Sequence, residues 1–445
     1  MHLRRVQVPN FRGLDQVDIT FEKDFFPRIF PLGSQNGGGK STLLQLIFTL
    51  LHCSTSAETN MFLQNLLHRF NPNQSSEKTI LATFEIWDGS KEHTIEFFAY
   101  QTIDAINSKI NVKDDNEKRG FSMPFSNLLS VLSVPSVPSE NKIAEKIFFD
   151  TTTFPILSGN DSSALKLREA KRMLKEIFDE WERKNLLHIC NYSSTKNQSF
   201  EDKSLLCKIK NKIGNKIENL SSHEAKIFLD ELSKKVFFAS HITQDFLFMN
   251  GEYRKLFSEK KDDSEKNDCS NINSLRTKIP GFFTYDFFAI DLVNQLFIDA
   301  RNKDRNVIKD GEGSNYYETL LKQDINSILI NKKINFSPNS NQITFKLDKQ
   351  GEEVDLYPQD LSRGELKRLS IYVWLKHNEI KDAIVLMDEI EITLHPDWQY
   401  QIILDLQQWE RSNQYILATH SYELCQALTP AHVKEIELKL IKNKD

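Results

Sequence analysis

The spacing of hydrophobic positions changes several times along this chain, and each change marks an element. Residues 2–8 and 17–21 alternate apolar and polar side chains, the period of half-buried strands, and Asn10-Phe11-Arg12-Gly13-Leu14 between them reads as a turn. Phe25 to Leu32 is a short apolar segment that leads into a cluster of glycines, and Ser41 to Cys53 is apolar nearly all round, as a buried helix is. Thr79 to Trp87 and His93 to Tyr100 are rich in β-formers, with the turn signal Asp88-Gly89 between them. Leu165, Leu167, Ala170, Met173, Leu174, Ile177, Phe178 and Trp181 fall at helical spacing and predict a long helix over 162–184. A Lys-rich segment at 203–216 precedes a second helix over 223–236, and further helices are expected at 285–301 and 315–330. Residues 135–138 and 258–273 read as loops.

The last hundred residues carry the clearest rhythm. A hairpin is expected from 343–347 and 353–356, then helix (364–378), strand (383–387), helix (397–409), strand (414–418) and a short helix (421–427). Strands alternating with helices predict an α/β fold with a parallel sheet. Composition narrows the class. Hydrophobic residues make 39% of the chain and charged residues 27%, as in soluble globular proteins. The net charge of -5 gives no global sign of nucleic-acid binding. Five cysteines, at 53, 190, 207, 269 and 425, form no C-x-x-C pair and point to reduced thiols. The start lacks the apolar core of a signal peptide and no apolar run could span a bilayer, so the expected location is the cytoplasm, without a membrane partner.

Glycine is scarce, yet four of the 15 glycines lie between 33 and 39. The run Gly33-Ser34-Gln35-Asn36-Gly37-Gly38-Gly39-Lys40-Ser41-Thr42, with strand before and helix after, is a phosphate-binding loop. Its backbone N–H groups and the helix N-terminus surround phosphate oxygens. Lys40 is expected to reach the β- and γ-phosphates of a nucleotide, and the Ser41 hydroxyl to ligate Mg²⁺. Ser34 stands where the general pattern has its first glycine. A second motif, Ala383 to Glu389, is an apolar strand whose two carboxylates emerge at its carboxyl end, where ligands collect in open α/β sheets. Asp388 is expected to hold Mg²⁺ and Glu389 to orient or deprotonate the attacking water. Leu361-Ser362-Arg363-Gly364-Glu365 precedes a helix and could be read as a capping box alone. Leu417-Ala418-Thr419-His420-Ser421 closes the last strand.

Together these strings resemble the ABC-type ATPases, and more closely the prokaryotic AAA15/AAA21 (OLD-like) group. The run Asp388-Glu389-Ile390-Glu391-Ile392-Thr393-Leu394-His395-Pro396 and the opening Asn10 to Leu14 carry the closer likeness, with Ile390 where the group usually has proline. The resemblance implies an ABC-type ATPase head, a P-loop parallel sheet plus an antiparallel β lobe, with a mainly helical insertion. It divides the chain into 1–100 and 336–445, the two parts of the head, and 101–335, an insertion for oligomerisation or partner binding. It implies that Ser34, Asn36, Gly37, Gly38, Gly39, Lys40, Ser41 and Thr42 bind ATP. Ser362, Gly364 and Glu365 would form the signature, contacting the nucleotide of an opposite subunit. Glu389, His420 and Lys40 would be catalytic, with His420 as the switch histidine and Ser41 and Asp388 as Mg²⁺ ligands. The D-loop would lie within Glu391-Ile392-Thr393-Leu394-His395-Pro396, and Gln101 is the candidate Q-loop glutamine.

That arrangement implies a homodimer of ATPase heads, or a higher homo-oligomer. The layout is also similar to the ATPase subunits of anti-phage systems such as PtuA of Septu and AriA of PARIS. Only 25 residues follow His420, too few for the C-terminal nuclease domain of OLD proteins. The expected function is therefore a slow, regulatory ATPase that senses and scaffolds, controlling a nuclease or toxin encoded nearby. The alternative is a DNA-repair ATPase like RecF or SMC that clamps DNA. Lys203, Lys208, Lys210, Lys212 and Lys216 favour that alternative, although acidic neighbours make a solvated face the plainer reading of those lysines.

Overall fold

The computed structural model describes residues 1–35, 37–56, 58–68, 70, 78–100, 172, 175–196, 199–213, 216–241, 279–285, 290–308, 316–337, 342–349 and 352–436. Two strands open the chain, β1 (His2–Phe11) and β2 (Leu14–Thr20), joined by the expected turn. Next come β3 (Ile29–Gly33), helix α1 (Lys40–His52) and helix α2 (Asn60–Leu67). The predicted hairpin forms from β4 (Lys78–Trp87) and β5 (Glu92–Tyr100). Its turn is fixed by Asp88, whose Oδ1 accepts the N–H groups of Ser90 and Lys91 at 2.6 and 2.7 Å, while Gly89 supplies a φ of 110°.

Helix α3 (175–183) leads to β6 (Leu187–Lys196), β7 (Ser199–Ile213) and β8 (Lys216–Asn219). These strands extend the antiparallel sheet in the order β2-β1-β4-β5-β7-β6, with β8 also on β7. The Lys-rich segment is thus a strand. Cys207 and Ile209 turn into the core while Lys210 and Lys212 point outward to Glu96 and Glu92 on β5, at 2.7 and 3.8 Å. The insertion, expected to be mainly helical, thus also carries strands. Strands β6 to β8 lie within 101–335, and they form because their inward side chains complete the apolar face begun by β4 and β5.

After helix α4 (Ser222–Ser233) come β9 (Val236–Ser240) and β10 (Phe282–Thr284), then helices α5 (Ile290–Ile308) and α6 (Tyr316–Ile328). A small antiparallel sheet is next: β11 (Lys332–Ser337), β12 (Gln342–Lys349) and β13 (Glu352–Leu356), the last two being the expected hairpin. The tail then runs α7 (Arg363–His377), β14 (Ile384–Asp388), α8 (Pro396–Trp409), β15 (Gln414–Ala418), α9 (Tyr422–Gln426) and β16 (Lys434–Glu435), close to the predicted bounds. The predicted loops at 135–138 and 258–273, and most of the helix at 162–184, lie outside the described residues.

The second sheet is parallel throughout, in the order β10-β9-β14-β15-β3-β16. Every residue of β14 and β15 is buried, as both faces are covered. Along β14 the side chains alternate. Ile384 and Leu386 join the packed cluster of α1 and the antiparallel sheet, and Val385 and Met387 join that of α7 and α8. Gln414 ties the two sheets together, since its Oε1 accepts the N–H of Leu3 at 2.7 Å and its Nε2 donates to the Leu3 carbonyl at 2.8 Å. The fold is mixed α/β, with a parallel sheet and an antiparallel lobe as expected. No helix among the described residues is long and apolar enough to cross a membrane. Cys53, Cys190 and Cys207 are buried as free thiols, and burial pushes Cys190 up to about 12.

Helix α7 is held by a buried ion pair. Arg368 Nε and Nη2 donate to Asp405 Oδ2 on α8 at 2.8 and 2.7 Å, and Nη1 donates to the Ile328 carbonyl at 3.1 Å. Burial raises the Asp405 pKa and the Arg368 charge opposes that rise. Arg368→Met is expected to destabilise the fold by about 3–5 kcal/mol, because Asp405 is left as a buried, unpaired acid. Denaturant unfolding measures this, and a loss near zero would show that the pair does not anchor the helix.

Candidate functional site

The glycine loop begins where β3 ends and closes where α1 begins. Gly37 and Gly39 have φ of 81° and 83°, a conformation that side chains with a Cβ rarely adopt. At Gly38 a Cβ would run into the Ser34 side chain, and at Gly39 it would meet Leu14 Cδ2 at 2.6 Å. No side chain caps the N-terminus of α1, so its first N–H groups face the loop, as in anion-binding helix ends. Asn36 lies outside the described residues, and Thr42 is half-buried on the first turn. Lys40 is buried, and its Nζ donates to the Ser34 carbonyl at 3.0 Å and to Ser34 Oγ at 3.1 Å. The residue that departs from the loop pattern therefore holds the lysine.

Two further strands bring their ends to this loop. Strand β15 lies between β3 and β14, so the residues after all three strands meet at one edge of the sheet. The Ser41 hydroxyl donates to Asp388 Oδ1 at 2.9 Å. Asp388 is 1% exposed, and its Oδ2 has no hydrogen-bond partner among the described residues. Burial pushes its carboxyl up to about 7, helped by the charges of Glu389 and Glu391 and opposed by Ser41 and Lys40. Glu389 is half-buried, with its N–H on the Ala418 carbonyl at 2.8 Å and a φ of 51°. His420 is exposed, and its Nδ1 lies 3.5 Å from Lys40 Nζ. Burial lowers the Lys40 pKa, and the charges of Glu391, Asp388 and Glu389 oppose that.

Glu391 joins this group in a position that the sequence does not reveal. It is buried, its Oε1 accepts the His420 N–H at 2.7 Å, and its Oε2 has no hydrogen-bond partner among the described residues. Its place in the Asp388–Pro396 string is legible in the sequence, but its burial beside Lys40 is not. The donor set suits Mg²⁺. A hydroxyl and a carboxylate with an unsatisfied oxygen are hard ligands, and Mg²⁺ usually takes one or two protein oxygens with water and phosphate completing the shell.

The signature-like residues sit elsewhere. Ser362 caps α7, its Oγ accepting the Glu365 N–H at 3.3 Å, while Glu365 Oε2 accepts the Ser362 N–H at 3.0 Å and its hydroxyl at 2.7 Å. Lys332 Nζ reaches both Glu365 oxygens, at 2.7 and 3.0 Å. Burial works to raise the Glu365 pKa, but hydrogen bonds from Lys332 and Ser362 outweigh it and hold the carboxyl below its usual range. Gly364 is buried, and a Cβ there would meet the Trp398 ring at 2.6 Å. Among the described residues, no hydrogen bond links Ser362 or Glu365 to the phosphate loop. Ser362 itself is exposed. Gln101 lies just past β5, outside the described residues. On its other side β14 pairs with β9, a strand that no motif or alternation in the sequence marks out.

The Asp388 carboxyl gives a test of the site's electrostatics. Because folding raises its pKa, the unfolded chain binds fewer protons there between about pH 4 and pH 7, so the ligand-free protein loses stability as pH rises through that window. At about pH 8 the buried charge costs on the order of 4 kcal/mol. Asp388→Asn removes that charge and keeps the acceptor for Ser41, although the new amide has donors to satisfy. It is expected to melt above the wild type at pH 8, with the gap narrowing toward pH 4. Identical melting at pH 8 would contradict the assignment.

Residues 222–426 match the family described as "AAA domain, putative AbiEii toxin, Type IV TA system". A stretch of 51 residues is 40% identical to the "Retron Ec83 probable ATPase" of Escherichia coli, spanning 12% of this chain and 9% of that protein. Among solved structures, the chain is similar to the SMC head domain from Thermotoga maritima, with a TM-score of 0.38 and 9% identity over 96% of this chain and 92% of that one. It is also similar to an SmcHead bound to the C-winged helix domain of ScpA, with a TM-score of 0.36 and 10% identity over 96% and 92% of the two chains. The family and retron matches support an ATPase of the AAA/ABC type.

Proposed function

We propose that this chain binds and hydrolyses ATP at the edge formed by β3, β15 and β14, as the regulatory subunit of a bacterial defence system. The observation that carries the ATPase reading is the bond from Ser41 to Asp388, which joins the glycine loop to the acidic strand end. The loop amides and the N-terminus of α1 hold the phosphates. Lys40 leaves Ser34 and turns its ammonium to the β- and γ-phosphates. Ser41 and Asp388 would hold Mg²⁺, which would supply positive charge to neutralise the phosphates. Glu389 orients or deprotonates the attacking water, and His420 contacts the γ-phosphate, held there by Glu391 through its backbone N–H.

Ser362 and Gly364 complete the site of a second copy, so the working form is a homodimer of heads. Residues 1–100 and 336–445 make the head together with β6 to β10, and the remainder of 101–335 carries surfaces for oligomerisation or partners. The effector is a nuclease or toxin encoded nearby, restrained until ATP turnover at the heads changes. The toxin–antitoxin description of the matched family and the retron ATPase match support that role. The reading sets the protein in the cytoplasm.

Lys40→Ala is expected to weaken ATP binding about 10- to 100-fold, as a charge-assisted contact to phosphate is lost. Glu389→Gln should bind ATP within about threefold of wild type, lose at least about 100-fold in turnover, and accumulate as an ATP-bound dimer seen by light scattering. Wild-type turnover in Glu389→Gln would remove Glu389 from the mechanism. The regulatory role predicts that a neighbouring gene's product co-purifies with the chain from its own host. Purification of the chain alone, beside no such gene, would rule that role out while leaving the ATPase intact.

A further inference from the structure

Lys367 lies in the second turn of α7 and is 3% exposed. Its Nζ donates to the Glu389 carbonyl at 3.2 Å and to the Ile392 carbonyl at 2.9 Å, and it stands 4.2 Å from the centre of the Tyr285 ring. Those carbonyls belong to the turn just beyond the acidic strand end. The turn contains two residues outside the usual backbone regions, Glu389 with φ of 51° and Thr393 with φ of 73°. Positive φ is especially costly for a β-branched residue, so such a turn persists only where its surroundings hold it. Its own bonds, Ile392 N–H to Glu389 at 3.3 Å and Leu394 N–H to Glu391 at 2.9 Å, are supplemented by the lysine from outside.

The same helix begins at Ser362. One turn from Lys367, Gly364 packs on Trp398, and a Cβ there would lie 3.3 Å from the Thr393 carbonyl. The first two turns of α7 therefore grip the turn at both ends, one by a close backbone approach and the other by an ammonium. Gly364 and Lys367, three residues apart on one helix, thus both touch the turn that carries Glu389.

We propose that Lys367 is a positioning residue that couples the N-terminus of α7 to Glu389, so that contact at Ser362 sets the rate at which the same chain's site turns over. This rests on the composite-dimer reading above, in which Ser362 meets the nucleotide held by the partner. ATP on one loop then readies the Glu389 of the opposite site, and the two sites turn over cooperatively. Lys367 is buried behind the turn, with its ammonium on main-chain carbonyls. It acts on where the Glu389 main chain stands.

The test is steady-state ATP hydrolysis with ATP binding measured separately. For the wild type a Hill coefficient of about 1.5, below the two-site ceiling, is expected. Lys367→Met should bind ATP within about twofold of wild type, lose at least about tenfold in kcat, and show a Hill coefficient near 1. Lys367→Gln, whose amide still suits a polar pocket, should show the same losses if the methionine variant does not fold. Lys367→Arg, which keeps donors for both carbonyls, should restore cooperativity. A folded Met or Gln variant with wild-type kcat and Hill coefficient overturns the proposal, as does a rise in KM with kcat unchanged. A wild-type chain with no ATPase activity fails the parent reading instead. A wild type that turns over with a Hill coefficient of 1 leaves the ATPase standing and removes the coupling.

Discussion

Buried charge is the constraint on which this architecture turns. The ammonium of Lys40 is buried at the carboxyl edge of the parallel sheet beside the carboxylates of Asp388 and Glu391, with Glu389 next in the chain. Buried ions must be paired or must neutralise. Asp388 responds by a pKa pushed up to about 7, and Lys40 by leaning on Ser34. The arrangement requires β3, β15 and β14 to be neighbours in that order, because only then do residues about 350 apart in the chain share one edge. It also requires the glycines, since a side chain at 37 or 39 would not follow the path that delivers Lys40.

Which features are legible in the sequence, and which are hidden, depends on the same physics. The glycine loop, the Ala383–Glu389 run and the Asp88-Gly89 hairpin are local, and each is written in consecutive residues. Strand β7 is also written locally, in the alternation Cys207-Lys208-Ile209-Lys210, but its lysines draw the eye toward charge rather than period. Strand β9 is harder. Val236–Ser240 is a short apolar run directly after a helix, and such a run becomes a strand only because β14 and β10 are there to pair with it. The burial of Glu391 cannot be read from its neighbours at all, since it depends on His420 and Lys40 arriving from distant segments.

Helix α7 shows the same limit in another form. Glu365, Lys367 and Arg368 are charged yet buried, so the helix has no polar face for a periodicity argument to find. Each charge is matched by something on a different element: Lys332 of β11, the carbonyls after β14, and Asp405 of α8. Buried ionic ties of this kind add less to stability than apolar packing of the same volume, but they fix the direction of the elements they join. A helix held at three points is suited to carrying a displacement rather than absorbing it.

The position of β3 also bears on how the protein is made. Within the parallel sheet, Ile29–Gly33 pairs with β15 and β16 alone. On the ribosome, therefore, the strand that leads into the glycine loop emerges several hundred residues ahead of the partners it waits for. Throughout that interval α1, whose Leu43 to Leu51 end fully buried, lacks the parallel sheet that will cover one of its sides. Pairings of such long sequence separation form slowly and leave apolar surface open to aggregation in the meantime. The nascent chain should accordingly depend on chaperones until β15 and the histidine that follows it have been made.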